Sequence, residues 1–343
     1  MNRTCGALLV FGSLVLGASA MAQQPPPRPS QAPQPQNAPP QPIPPGLPEW
    51  AYTPPVPNAP PPPSALPADD NAVLKLPGSS VTLTRGQVRA LIEIPDWHPQ
   101  DHGPLPPVVR FGREDVRACG FCHLPDGGGR PENAPVSALH PAYFVQQMDD
   151  FRNGLRDSAD PRKNNTNNMI GFAKNATPEE IRIAAEYFAQ QPYPKQITVV
   201  ERNEVPKTRL QGGMHMAIRG EGAGTEQIGD RIVEVPDDEF RAEARDSRIS
   251  YTAYVPVGSL ARGKELATTY QCGVCHGANL EGLGPVPPLA GRSPSYTMRQ
   301  LFDMKVGTRR GPWSELMKPI VEKMSVQDLL NVSAYAASIA PQR

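Results

Sequence analysis

The chain has 343 residues, five of them cysteine, and its 34 basic side chains are balanced by 34 acidic ones, leaving no formal net charge. That balance argues against a nucleic acid or an anionic surface as the partner. The length would ordinarily suggest two or three domains, but 44 prolines, 6% aromatic residues and a mean hydropathy of −0.44 say that much of it is not core.

Residues 1–22 read as a signal peptide for export: Arg3 gives a weakly positive start, Leu8 to Leu16 an apolar stretch, and Ala18-Ser19-Ala20 or Ala20-Met21-Ala22 a small-residue cleavage site. The stretch is short for an uncleaved membrane anchor, and no later segment is apolar enough to span a bilayer. Cys5 precedes the apolar run and should leave with the signal. The product is expected to be soluble, exported and periplasmic, with membrane association only through an uncleaved signal or a partner. Residues 23–69 follow as a Pro-rich linker, with twenty prolines from Pro25 to Pro67 and no hydrophobic periodicity. This pattern predicts disordered, polyproline-II-like chain. Trp50 and Tyr52 interrupt it, either docked on the body or exposed in a tether.

From residue 70 the pattern changes. Val73 to Thr84 alternates like a strand and Arg85 to Ile92 could form one short helix. His98 and His102 are four apart, a metal-pair spacing on a helix, but Pro99 between them and Gly103-Pro104 after them argue against one.

Cys119-Gly120-Phe121-Cys122-His123 and Cys272-Gly273-Val274-Cys275-His276 each have the C-x-x-C-H form of covalent c-type haem attachment. Two thiols add to the two vinyl groups of one porphyrin, and the adjacent His supplies an axial nitrogen. Cys119, Cys122, His123, Cys272, Cys275 and His276 are therefore the cofactor-binding candidates, for two haem c groups. A four-thiolate zinc site would place its paired knuckles closer together and has no use for the trailing His; a thioredoxin-like thiol pair has none either.

Aligning the two motifs exposes an internal repeat. Pro141-Ala142-Tyr143 pairs with Pro294-Ser295-Tyr296. Gln147, Asp150, Gly154 and Arg156 pair with Gln300, Asp303, Gly307 and Arg309, and Met169 pairs with Met317. Thr177 with Glu180, and Ser325 with Asp328, announce capped helix starts. The helices that follow carry Ile181, Ala184, Ala185 and Phe188 in the first repeat and Leu329, Val332 and Ala336 in the second. Tyr187 and Tyr335 fall at matching positions. Between the repeats, Ile197 to Val200 and Arg231 to Val235 look like strands of a small β-rich connector.

An iron in a small electron carrier needs a second axial ligand, usually Met. Met169 and Met317 occupy the same place in the repeat. Met148, Met298, Met304 and Met324 have no Met counterpart in the other repeat. The metal ligands are thus expected to be His123 with Met169 and His276 with Met317, with no catalytic residues.

Cys272-x-x-Cys275-His276-Gly277, Pro287-Pro288-Leu289-Ala290-Gly291, Tyr296, Gln300, Gly307, Arg309, Met317 and the Tyr335 helix resemble one half of a diheme class I cytochrome c of the cytochrome c4 kind. The first repeat follows the same layout but departs in detail. His123 is followed by Leu124-Pro125, and Asp157 to Asn168 is a longer, polar loop. The resemblance covers roughly residues 110 to 193 and 257 to 341. It implies a mainly α fold: two haem domains of three to four helices, joined by the β-containing connector and preceded by the disordered linker. The boundaries are 70–194 for an N-terminal segment plus the first domain, 195–256 for the connector and 257–343 for the second domain. It also implies a backbone carbonyl offered to each proximal His by a proline, Pro135 in the first repeat and Pro287 or Pro288 in the second.

The expected function is electron transfer between redox proteins, such as a dehydrogenase, a quinol-oxidising complex or a terminal oxidase, without enzymatic activity. One alternative is an electron-transfer subunit of a periplasmic dehydrogenase. Another is a diheme peroxidase-type enzyme, which would need an iron able to open. His215, in Gly213-Met214-His215-Met216, is the one residue placed for a ligand switch, and its bland reading is a surface-loop side chain.

Overall fold

The computed structural model describes Met1 and residues 42–56, 58 and 61–342. The signal peptide, Cys5 and most of the N-terminal half of the Pro-rich linker lie outside the described residues. No helix among the described residues is long and apolar enough to cross a membrane.

The first described element corrects the expectation of disorder through residue 69. Helix α1 (Glu49–Tyr52) docks on the body. Ala51 and Tyr52 are fully buried among Met298, Phe302 and Leu330 of the second repeat, and the Tyr52 hydroxyl donates to Asp303 Oδ1 at 2.7 Å. The 73–84 stretch is a hairpin, β1 (Val73–Lys75) with β2 (Thr82–Thr84), in place of one strand. Helix α2 (Arg85–Arg89) follows behind a capping box of Thr84 and Gln87 and stops short of Ile92. Trp97 closes this segment, buried, with its indole N–H donating to the Ala244 carbonyl at 2.8 Å. A short 3-10 turn, Pro99–Asp101, stands between His98 and His102.

The first repeat consists of α3 (Pro107–Arg110), α4 (Cys119–His123), α5 (Pro141–Arg152), α6 (Asn164–Asn175) and α7 (Pro178–Ala189). The polar stretch read as a loop to Asn168 becomes helix from Asn164, so Met169 sits within a helix. Helix α7 starts at the expected Thr177/Glu180 capping box. Ile181, Ala184, Ala185 and Phe188 turn inward onto Phe144, Met148 and Phe151 of α5.

The connector is β-rich. Strands β3 (Ile197–Glu201), β4 (Glu204–Pro206), β5 (Thr208–Gln211), β6 (Met214–Ala217), β7 (Thr225–Gln227) and β8 (Val233–Pro236) precede α8 (Glu239–Glu243) and β9 (Tyr251–Val255). Strands β3, β9 and β8 form one sheet in that order, β3 parallel and β8 antiparallel to β9. Strands β4 with β7 and β5 with β6 form two-stranded pairs. The inward face of β9 (Tyr251, Ala253, Val255) is fully buried.

The second repeat mirrors the first with α9 (Ser259–Thr269), α10 (Cys272–His276), α11 (Pro294–Lys305), α12 (Lys318–Val321) and α13 (Val326–Ser338). Helix α13 starts at the Ser325/Asp328 capping box. Gly263 lets α9 cross α13 at close range, since a Cβ there would run into the Asn331 carbonyl oxygen.

Candidate haem sites

Each C-x-x-C-H string is a single helical turn, which brings the two thiols and the His to one side. His123 Nδ1 lies 2.8 Å from the Ala134 carbonyl oxygen, and His276 Nδ1 lies 2.8 Å from that of Pro287. A carbonyl only accepts, so Nδ1 carries the proton and Nε2 keeps the lone pair that a metal needs. Burial is the largest influence on both rings and pushes their basicity below the ordinary imidazole range, which keeps them neutral. In the first repeat the carbonyl belongs to Ala134 and not to Pro135. The proline presets the backbone one residue further on, and its own oxygen accepts from Arg292 at 2.9 Å. In the second repeat the choice falls on Pro287, the matching position.

A cleft of about 840 Å³ opens beside His123, and a second of about 550 Å³ lies on the side of Cys119 and Cys122. His123, Phe144, Met148 and Met169 line both. The structure thus brings Met169 and His123 to one cavity. In the second repeat His276 is buried, and Met317 caps the start of α12 at the margin of the cluster of Met298, Met324 and Leu329.

The larger cleft reaches across to the second repeat, to Tyr296, Arg299, Gln300 and Asp303. Arg156, Lys163 and Arg299 face it alongside the carboxylates of Glu132, Asp157 and Asp303. Burial pushes the Lys163 amine well down. Apolar walls with an imidazole and a thioether, and guanidinium donors at one end, fit a haem: a flat apolar ring carrying two carboxylates. Around this end the repeats clasp each other reciprocally. Arg156 donates to Gln147 of its own repeat and to Tyr296 and Gln300 of the other. Arg309 donates to Gln300 of its own repeat and to Tyr143 and Gln147 of the other. The repeat alignment marks these residues as equivalent. That their bonds cross between repeats needs the fold, and Arg299 has no signal in the sequence.

The remaining histidines are structural. His98 Nε2 meets Asp246 Oδ1 at 2.9 Å in a fully buried pair, and His102 meets Asp96 at 3.2 Å. No metal-holding cluster of His, Cys, Asp or Glu occurs among the described residues. His215 is not on a surface loop: it lies on β6, with Nδ1 3.0 Å from Thr208 Oγ1 and Nε2 3.2 Å from the Trp50 carbonyl.

Residues 260–340 match the family model for cytochrome c. Cytochrome c-554(548) of Halomonas halodenitrificans is 33% identical over 82 residues, 24% of this chain and 96% of that protein. Cytochrome c4 of Azotobacter vinelandii is 25% identical over 229 residues, 65% of this chain and 85% of the relative. The thiosulfate dehydrogenase electron acceptor of Stutzerimonas stutzeri is 25% identical over 228 residues, 65% of this chain and 79% of the relative. With two attachment turns of one design, the chain belongs to the cytochrome c family as a diheme, cytochrome c4-like electron-transfer protein with two covalently bound haem c groups.

Proposed function

We propose that this chain is a periplasmic one-electron carrier, ligating one iron through His123 and Met169 and the other through His276 and Met317. The division is the one drawn from the sequence: signal 1–22, linker 23–69, first haem unit within 70–194, connector 195–256 and second unit 257–343. The observation that carries this reading is the pair of buried imidazoles, each with Nδ1 tied to a backbone carbonyl, and the sharing of one cavity by His123 and Met169.

Each bound haem supplies an iron that changes oxidation state by one electron. Ala134 and Pro287 fix the orientation of the imidazoles and raise their donor strength. Met169 and Met317 would hold the second ligand position of each iron, which would close it to substrate and raise its potential relative to a second His. Arg156 and Arg299 would offer guanidinium donors to the carboxylates of a haem held in the cleft. His215 has both ring nitrogens engaged, by Thr208 and the Trp50 carbonyl, which argues against its serving as a switching ligand.

The test is the weak far-red band of a thioether bound to Fe(III). Met169→Ala and Met317→Ala should each remove about half of it and lower one potential. A band intact in both variants would refute the ligand assignment. A narrower reading, an electron acceptor dedicated to one periplasmic dehydrogenase, is supported by the similarity to the Stutzerimonas stutzeri protein. Co-purification of a dehydrogenase from the native host would establish it.

A further inference from the structure

The two attachment turns share a backbone and differ in the charges set around them. Arg245, from the connector, lies with its guanidinium carbon 3.7 Å from the Phe121 ring centroid and donates to the Phe121 carbonyl at 2.7 Å. That carbonyl directly precedes Cys122, and Arg245 and Arg130 are both within electrostatic reach of the Cys122 sulfur. The guanidinium carbon of Arg117 lies 5.1 Å from the same ring centroid. Glu132 is the carboxylate that faces Arg130 and Arg245, and it accepts from Arg130 Nε at 2.6 Å. Three guanidinium groups thus gather at the first turn, and Glu132 pairs with one of them.

The loop that carries Arg245 is firmly held. Its φ is +58°, a left-handed conformation that a residue with a side chain keeps only where its surroundings impose it. Both neighbours impose it. Ala244 is fully buried, and its carbonyl accepts from Trp97 Nε1 at 2.8 Å. Asp246 is fully buried, with His98 Nε2 at 2.9 Å from one carboxylate oxygen and Arg241 on the other. The buried His98–Asp246 pair, which no metal or catalytic role explains, therefore fixes a guanidinium over the first turn. From the same added segment Ile94, with Leu91 and Leu105 beside it, covers Ala118 and Phe121. This apolar cover lowers the local dielectric and lengthens the reach of the charge.

The second turn has the opposite character. The loop from His123 to the Ala134 carbonyl and that from His276 to the Pro287 carbonyl are equal in length, so their positions match one for one. Tyr270 stands where the first repeat has Arg117, Leu283 where it has Arg130, and Glu281 where it has Gly128. The Glu281 carboxylate folds back on Gly277, the residue after His276, and its Oε2 accepts from the Asn279 amide at 2.8 Å. A cation beside an iron favours Fe(II), which carries one positive charge less, and an anion favours Fe(III). We propose that Arg245 raises the reduction potential of the first iron and Glu281 lowers that of the second, so that a chain holding one electron keeps it at the first site. The proposal rests on the carrier reading. An electron taken up at the second iron passes inward: the second iron returns from Fe(II) to Fe(III) as the first goes from Fe(III) to Fe(II), and no bond is made or broken.

The test is spectroelectrochemical titration of the full-length haem-loaded protein at neutral pH, which should resolve two one-electron steps. The protein with both Cys272→Ala and Cys275→Ala keeps the first haem alone and should titrate at the upper step. Arg245→Gln should shift the upper step about tenfold toward Fe(III), which is about 59 mV for one electron, and leave the lower step in place. Arg245→Lys keeps the charge and should restore most of the shift. Glu281→Gln can still accept the Asn279 amide, so it should fold, and it should raise the lower step by about threefold in the same equilibrium. An unmoved upper step in Arg245→Gln, an equal fall in Arg245→Lys, or a first haem that titrates at the lower step would overturn the proposal. Should Arg245→Gln fail to attach the first haem, an unmoved lower step in Glu281→Gln would overturn it. Failure of the unmodified protein to take up and return one electron per haem would instead overturn the carrier reading.

Discussion

The two repeats share one plan and differ in what surrounds it. The first is enclosed: residues 91–111 and Arg245 of the connector cover its attachment turn, and Ala118, Gly120, Phe121, His123 and Leu124 are all buried. The second shows Val274 and Cys275 to solvent and is anchored mainly through α9, α11 and α13. Equivalent residues therefore carry unequal structural weight. The local motif fixes the chemistry of each site, and the added segments decide how much of the protein depends on it.

The largest expected effect follows from this inequality. Replacing both Cys119 and Cys122 by Ala, or both Cys272 and Cys275, should lower the mass by one haem, with the remaining haem still visible after denaturing electrophoresis. The first variant should lose more stability than the second, by at least about 3 kcal/mol in denaturant melts, because its haem completes a core that other segments pack on. Equal losses would show that the enclosure contributes little.

Glycine substitution sharpens the comparison at lower cost. Gly120→Ala forces a Cβ onto the Val109 carbonyl and Ile94 and should destabilise by about 1–3 kcal/mol. Gly273→Ala meets only ordinary contacts and should be neutral or slightly stabilising, within about 1 kcal/mol, since Ala favours helix. Chemical denaturation of the two variants reads both.

The smallest effect is a pH dependence confined to the cover of the first repeat. A hydrogen bond to Asp96, aided by the Gly103 carbonyl and by the charge of Asp126, raises the His102 basicity above its ordinary value of 6.5. A raised folded value means that this pair stabilises fully below pH 6.5 and that the contribution is lost as pH climbs through the folded value. Hydrogen exchange of residues 95–103 should accelerate over that climb, and His102→Gln should flatten the response. Acceleration on acidification would reverse the sign and reject the assignment.

Legibility in the sequence follows the range of the interaction. Attachment turns, capping boxes at Thr177 and Ser325 and the strands at Ile197 and Val233 are local patterns, and each is present in the fold. In the first repeat the imidazole partner lies one residue before the expected proline, because the residue that shapes the loop is not the residue that accepts. Burial of Tyr52, with Trp50 half-buried beside it, is not legible, since a Pro-rich context has no period to report it. The Tyr52 partner is 251 positions away. The clasp of Arg156 and Arg309 is visible only as matched residues, because repeat alignment shows equivalence and not which copy a side chain reaches. The cover over Phe121 is hidden for a similar reason: Ile94 and Arg245 come from segments without a counterpart in the other repeat.

The proposed carrier role requires both irons to be closed by protein ligands, so that the chain moves electrons and does not transform a substrate. Carbon monoxide added to the fully reduced protein tests this requirement most directly, because it binds only an iron with an open or weakly held position. The spectrum should be almost unchanged at both haems. A carbon monoxide adduct at half or all of the haem would contradict the carrier role.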